Sequence, residues 1–432
     1  MDEYRVKKIE NAEDICVSVP GSKSITNRAL LLAAMSNGVC EIEDLIFCDD
    51  SIAMIECLKE LGFEICVDEE EHRVSVRGEN GRIPNRESTI NVRSAGTTAR
   101  FMTAFLAVVG GNYTLNSSEQ MKKRPMKDFL DVLEEQGVEI TYLEEEGHFP
   151  FKMASEGLSN IDLSIDTTTS TQYASALLMA GAISGIKLQL TGKRIRGSFI
   201  KITLHMIHQF GIQFQGEEDF DETATYRIEK QEFSKEQYKV EPDMSSACYF
   251  YAMAVILGVK TRVNRIHLDS MQGDIKFIYL LERLGAKMYD TPEGLEVNAT
   301  ELDGYDGIDI DMSDFSDQAL TMAVVAAFAK SKTTIRNIGH ARKQESDRVQ
   351  AMANELRKIG CNVEIIEHDG QTDVEITPGE LNGGMIETYE DHRVAMSFAL
   401  IGLVVDDVII KDPSCTKKTF EKYFNILDKI TG

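Results

Sequence analysis

The chain has 432 residues, 43% of them hydrophobic and 27% charged, a length that predicts two or three domains and a composition that excludes a disordered polymer. No apolar run is long enough for a helical membrane span, and the polar start MDEYRVKKIENAED carries no export or transit pattern. A net charge of −25, from 71 acidic and 46 basic residues, argues against nucleic acid or an anionic membrane as partner, so an anionic ligand must be held in a local cationic pocket.

The expectation is therefore a soluble, cytoplasmic protein. Its eight cysteines include no C-x-x-C pair, which predicts reduced thiols and no structural zinc.

Residues 1–20 precede the first helical pattern and are expected to supply a strand elsewhere, in the C-terminal half. From Ser22 a helix rich in small apolar residues, SKSITNRALLLAA, leads to the strand VCEIED, a second helix ending LKELGFEI, and the hairpin EICVDEEEHRVSVRG. The same succession recurs through SAGTTARFMTAFLAVV, NYTLNS, LEEQGVEI and EITYLEEEGHFPFKM. It returns in TSTQYASALLMAGA, IKLQLTG and IHQFGIQF, then in DMSSACYFYAMAVI, VKTRVNRI, LERLGAKM and AKMYDTPEGLEVN. FSDQALTMAVVAAFA, TTIRNI, LRKIGCNV and NVEIIEHDGQTDVEIT follow, and DHRVAMSFALIGLVV opens a last round. The glycines that end the second helices, Gly62, Gly137, Gly211, Gly285 and Gly360, are 75, 74, 74 and 75 residues apart. Glycine at that place reaches the left-handed conformation that satisfies the last helical carbonyls without a Cβ penalty.

Six units of strand, buried helix, strand, surface helix and hairpin then fill the chain. They are expected to form two similar α/β domains of three βαβαββ units each, 21–240 and 1–20 with 241–432. The first helix of each unit lacks a polar stripe and should be buried all round. The acidic triplets Glu69 to Glu71 and Glu144 to Glu146 read as solvated hairpin tips, and His205 and His208 as residues of a surface helix.

Chemistry gathers at the starts of the buried helices, which carry Lys23, Ser24 and Arg28; Ser94, Gly96, Thr97 and Arg100; Ser170, Thr171 and Gln172; His392 and Arg393. Helix N-termini attract phosphate and carboxylate. Hydroxyl residues there also read as plain N-caps, but lysine and arginine oppose the helix dipole and need another reason. Three basic loops join them: MKKRPMKD, HARKQESDR and DPSCTKKTF. PGSKS lacks the G-x-x-x-x-G-K-[ST] spacing of a nucleoside-triphosphate loop, and no G-x-G-x-x-G follows a strand.

PGSKSITNRALLLAA, SAGTTARF, MKKRPM, STQYASALLMA, EPDMSSACYF, SDQALTMA, NIGHARKQESDR, YEDHRVAM and DPSCTKKTF, in this order, resemble the 3-phosphoshikimate 1-carboxyvinyltransferase (EPSP synthase) family of the shikimate pathway to chorismate and the aromatic amino acids. The resemblance covers essentially the whole chain. It implies an inside-out α/β barrel in each domain, an active site in the interdomain cleft, and a monomer that needs no metal or organic cofactor. The implied reaction passes the enolpyruvyl group of phosphoenolpyruvate to the 5-hydroxyl of shikimate 3-phosphate, by addition and then elimination of phosphate. Shikimate 3-phosphate would be held by Lys23, Ser24, Arg28, Ser170, Thr171, Gln172, Ser198 and Asp317, with His340 nearby and Gln344 in the same site. Phosphoenolpyruvate would meet Lys23, Gly96, Arg124, Gln172, Arg348, Arg393 and Lys418. Asp317, Glu345 and Lys23 are the implied acid-base residues. The family is the target of glyphosate, and Gly96 at its helix opening is compatible with binding that inhibitor.

Two departures stand out. Gln344 occupies the position of a substrate-binding lysine, with Lys343 on another face, and Phe199 stands where the family has tyrosine. Weaker binding of shikimate 3-phosphate is expected from both. The alternatives are the sister carboxyvinyltransferase acting on UDP-N-acetylglucosamine and a non-catalytic repeat scaffold. The first places a cysteine in the loop that here reads NSSEQMKKRPM, and no cysteine occurs between residues 66 and 248.

Overall fold

The computed structural model describes residues 3–192, 197–218, 223–368 and 370–432. The chain forms two compact units, Met1–Pro20 with Glu241–Gly432, and Gly21–Val240.

One repeat shows how the sequence makes the fold. Strand Glu87–Asn91 leads into helix Gly96–Val109, whose residues from Gly96 to Val108 are all buried. Strand Gly111–Asn116 returns parallel to the first, Glu87 opposite Asn112 and Asn91 opposite Asn116, as a helical crossover allows. Helix Lys127–Glu135 then runs to Gly137, at φ +92°, and the hairpin Glu139–Tyr142 and Phe151–Ser155 completes a four-stranded sheet. Gly62, Gly211, Gly285 and Gly360 likewise have φ between +90° and +112°, so the 74 to 75 residue spacing marks a backbone requirement.

Within each unit the apolar helices lie inside and the sheets outside. In Lys23–Met35 the residues from Ile25 to Met35 are all buried, and the same all-round burial holds from Ala319 to Ala327. The strands alternate instead, as in Ile161–Asp166, with Ile161, Leu163 and Ile165 inward.

Two repeats exchange their first strands. Ile15–Val17 precedes helix Lys23–Met35 in the chain but pairs in parallel with Lys260–Asn264, whereas Gln237–Lys239 pairs in parallel with Asn37–Glu43. The sixth repeat differs from the regular unit expected. Its sheet has three strands, Glu3–Arg5, Val408–Lys411 and Gly384–Ile386, and the N-terminal strand takes the edge that a hairpin fills in the others. The third repeat has its hairpin in Gln215–Glu218 and Ala224–Ile228, around a turn outside the described residues. Glu144 and Glu146 are not merely solvated, because Lys122 donates to the first and Lys127 to the second, each at 2.8–2.9 Å. His205 and His208 are exposed on helix Ser198–Gln209. All eight cysteines are free thiols, and no helix among the described residues is long and apolar enough to cross a membrane.

Candidate active site

In the unit Gly21–Val240, four of the sequence-selected positions are helix starts. Helix Lys23–Met35 begins after Ser22 and helix Gly96–Val109 after Ala95, and neither preceding side chain caps its helix. Two sets of N-terminal N–H groups therefore lack the usual side-chain acceptor, the condition that draws an anion. Ser170 behaves differently. Its hydroxyl accepts from the Gln172 amide at 3.2 Å, so it is a true N-cap of helix Thr171–Gly181. Thr171 is buried at that start, and the buried Gln172 Oε1 has no hydrogen-bond partner among the described residues.

Lys23 sits 3.0 Å from Asp50, a nearly buried acid from the first turn of helix Asp49–Glu60, so its charge at a helix start is compensated. Ser24, next to it, is half-buried. Arg28 is turned inward and fully enclosed. Its Nε donates to Thr203 Oγ1 at 2.8 Å and Nη1 to the Ser24 carbonyl at 2.9 Å, while Nη2 reaches Ser175 Oγ and the Phe199 carbonyl, both at 3.2 Å. Those acceptors are neutral. The guanidinium lies over Phe101 and Phe199, and burial pulls its pKa down to about 9, with Tyr238 opposing. Arg28 thus stays charged at neutral pH beneath the helix starts. Arg28, expected at the shikimate 3-phosphate site, is thus packed against Phe199, which supplies a ring face where a tyrosine would add a hydroxyl. Ser198, the first residue of its helix, is buried beside them.

Arg124 packs directly on Gly96. A Cβ there would lie 2.5 Å from its Nη1 and 2.9 Å from its Cζ. Arg100 donates to the carbonyls of Gly96 and Pro125, each at 3.3 Å, and Tyr173 donates to Pro125 at 2.9 Å, which fixes the turn that carries Arg124.

In the other unit, Arg348 and Arg393 are both buried at helix starts and converge on Asp317. Arg348 Nη1 donates to Asp317 Oδ1 and Arg393 Nη2 to Oδ2, each at 3.0 Å. Arg348 also donates through Nε to the buried Asp391 at 2.8 Å and through Nη2 to Glu345 at 2.9 Å. Burial alone would lower the pKa of Arg348, but Asp391, Glu345 and Asp317 outweigh it and raise it. For Arg393, burial is likewise outweighed, by Asp317, Tyr249 and Asp274. Lys418 stands 3.6 Å from Glu345. Ser316 hydrogen-bonds His340 Nε2 at 2.6 Å, which places His340 beside the Asp317 turn. Gln344 accepts from Arg348 Nη1, while Lys343 is exposed.

Sequence reading missed Asp50, Ser245, Asp274 and Asp391. Asp391 carried a signal, an aspartate directly before a helix start, and it does accept the Arg393 amide at 3.0 Å. The others pair with groups distant in the chain and had none.

Comparison with known proteins identifies the family and the fold. The sequence profile described as EPSP synthase (3-phosphoshikimate 1-carboxyvinyltransferase) matches residues 8–427. A protein of Nostoc punctiforme named 3-phosphoshikimate 1-carboxyvinyltransferase is 37% identical over 98% of both chains. One of Neisseria gonorrhoeae with the same name is 39% identical over 96% of this chain and 95% of its own. Among solved structures, EPSP synthase from Acinetobacter baumannii shares the fold, with a TM-score of 0.81 at 21% identity over 100% of this chain and 98% of the other.

Proposed function

The chain belongs to the EPSP synthase (3-phosphoshikimate 1-carboxyvinyltransferase) family, and from that premise we propose that it transfers the carboxyvinyl group of phosphoenolpyruvate to the 5-hydroxyl of shikimate 3-phosphate, releasing phosphate. The observation that carries this reading is positive charge gathered at two helix N-termini without side-chain caps, Lys23 and Gly96 with Arg124, in a chain of net charge −25. Both substrates carry a phosphate and a carboxylate, the groups such a site selects.

Shikimate 3-phosphate is held by Lys23, Ser24, Ser170, Thr171, Gln172 and Ser198, with Arg28 adding charge from beneath, and by Asp317, His340 and Gln344. Phosphoenolpyruvate is held by Lys23, the Gly96 amide, Arg124, Gln172, Arg348, Arg393 and Lys418. Arginine gives planar bidentate grips on its oxyanions and lysine a point charge.

Asp317 takes the proton of the 5-hydroxyl as that oxygen bonds to C2 of phosphoenolpyruvate, and Lys23 or Glu345 delivers a proton to the methylene carbon. The adduct then loses a methyl proton and phosphate, restoring the double bond. Asp317 is tied to Arg348 and Arg393. An arriving anion that draws the arginines away leaves the carboxylate able to accept a proton, so base strength follows occupancy.

The test is phosphate release from phosphoenolpyruvate with shikimate 3-phosphate or UDP-N-acetylglucosamine as acceptor. Release with the first alone supports the reading. Release with the second alone transfers the chain to the sister activity, and release with neither leaves a non-catalytic protein.

A further inference from the structure

Beside Arg393 lies a second buried carboxylate that the reaction scheme does not use. Asp274, on the short turn Gly273–Ile275, is buried and accepts the hydroxyl of Ser245, the second residue of helix Met244–Leu257. Ser245 Oγ in turn receives Arg393 Nη2 at 3.4 Å, the nitrogen that also donates to Asp317 at 3.0 Å. One guanidinium nitrogen therefore links Asp317, the base of the proposed reaction, to a hydroxyl held by another carboxylate. The charged and titratable groups facing Asp274 are Asp317, Arg393 and Asp243, the cap of the same helix, together with the buried thiol of Cys248.

We propose that Asp274 is a positioning residue that sets the grip of Arg393 on phosphoenolpyruvate through Ser245, holding the site ready for the anion when it carries a proton and opposing the anion when it does not. The inference rests on the function proposed above. Its physical basis is mutual repulsion. A buried carboxylate near a second carboxylate resists ionisation, and an anionic substrate entering at Arg393 adds further negative charge. Burial, then the charge of Asp317, raises the pKa of Asp274 to about 7, against the opposing pull of Arg393 and Ser245. Both forms are therefore populated at neutral pH. Above that point the ionised form predominates, engages Arg393 through Ser245, and competes with the substrate.

The experiment measures kcat/KM for phosphoenolpyruvate from pH 5.5 to 9 in the wild type and in Asp274→Asn, with saturating shikimate 3-phosphate. The substrate's own ionisation is common to both proteins and cancels in the ratio. The ratio of variant to wild type is expected to be constant below pH 6 and to rise above pH 7 by up to about tenfold per unit, carried by KM with kcat nearly unchanged. A ratio flat across the whole range overturns the inference and leaves Asp274 a structural residue. Wild type that releases no phosphate overturns the functional reading instead, a failure seen before any variant is made. Should Asp274→Asn not fold, Ser245→Ala is measured in the same way. It removes the hydroxyl through which Asp274 reaches Arg393, so the rise of KM above pH 7 must weaken relative to the wild type, and an unchanged pH profile overturns the proposal.

Discussion

Asp391 receives the Nε–H of Arg348 at 2.8 Å with both side chains buried, and so ties the first residue of helix Arg348–Lys358 to the cap of helix His392–Ala399. The same carboxylate accepts the Ser346 hydroxyl at 2.9 Å and the Arg393 amide at 3.0 Å. It is the fixed point from which both arginines are aimed at Asp317.

Removing it leaves a buried guanidinium short of a counter-ion and a helix without its cap. Asp391→Ala is expected to cost about 3–5 kcal/mol, the usual result of breaking one side of a buried pair. Urea unfolding of the variant checks the figure, and a loss below about 1 kcal/mol would show that water or the remaining acids compensate.

Gln344 offers Arg348 an acceptor where the family pattern has a cation. Gln344→Lys removes that acceptor, leaves Nη1 of Arg348 to Asp317 alone and adds a positive charge beside Asp317 and Glu345. The Michaelis constant for shikimate 3-phosphate should fall several-fold, on the order of one charge-assisted hydrogen bond. Initial-rate kinetics at fixed phosphoenolpyruvate measure it, and an unchanged constant would show that Gln344 already binds as well as lysine.

The helix starts were legible because their signal is local. A glycine forced to positive φ, an apolar helix without a polar stripe, or a basic residue at a helix N-terminus is visible within ten residues, as at Gly62, Lys23 and Gly96. Arg28 belongs to the same helix start, but the direction of its side chain is set by Thr203 and Ser175, far along the chain, which no local signal shows. The Asp274–Ser245–Arg393 linkage joins three separated segments through side chains alone, so no period or spacing in the sequence announces it. Strand Gln237–Lys239 was invisible for another reason, since its three residues become a strand only by pairing with Asn37–Glu43.

Gly96 is needed for space rather than for backbone freedom. The Cβ of Gly96→Ala would meet the guanidinium of Arg124 at 2.5 to 2.9 Å, the far end of a flexible side chain that can swing away. Stability should change by less than about 1 kcal/mol, while displacement of Arg124 raises KM for phosphoenolpyruvate by at least about tenfold, a loss of roughly 1.4 kcal/mol of binding. Thermal unfolding and kinetics on one preparation separate the two effects.

Tyr389 and Glu390, just before Asp391, both have left-handed backbones at φ 54° and 55°. Tyr389 is anchored, its hydroxyl donating to the buried Glu355 at 2.8 Å, but Glu390 is exposed and bears the strain with no such side-chain anchor among the described residues. Glu390→Gly removes a Cβ penalty of about 1 kcal/mol and, less the entropy glycine adds to the unfolded chain, should leave stability equal or slightly raised. Glu390→Val, β-branched and least tolerant of that conformation, should lower it. The order of the two unfolding midpoints is the readout, and the reverse order would refute strain at this turn.

The pH dependence of stability supplies a check on Asp274 that is independent of turnover. In the unfolded chain its carboxyl titrates near the ordinary value of about 3.9, whereas in the folded protein burial and then Asp317 raise it to about 7. The folded state thus binds this proton more tightly, and the stability it contributes is complete below about pH 4 and lost as pH rises to about 7. Asparagine carries no such proton. Asp274→Asn should therefore gain on the wild type steadily from pH 4 to 7 and hold a constant advantage above it, with a total change on the order of 4 kcal/mol. Denaturant unfolding at pH 5, 6, 7 and 8 measures the difference curve. A difference that stays level from pH 5 to 7 would mean that Asp274 is already ionised in that range, paired closely enough with Arg393 to offset both its burial and the charge of Asp317.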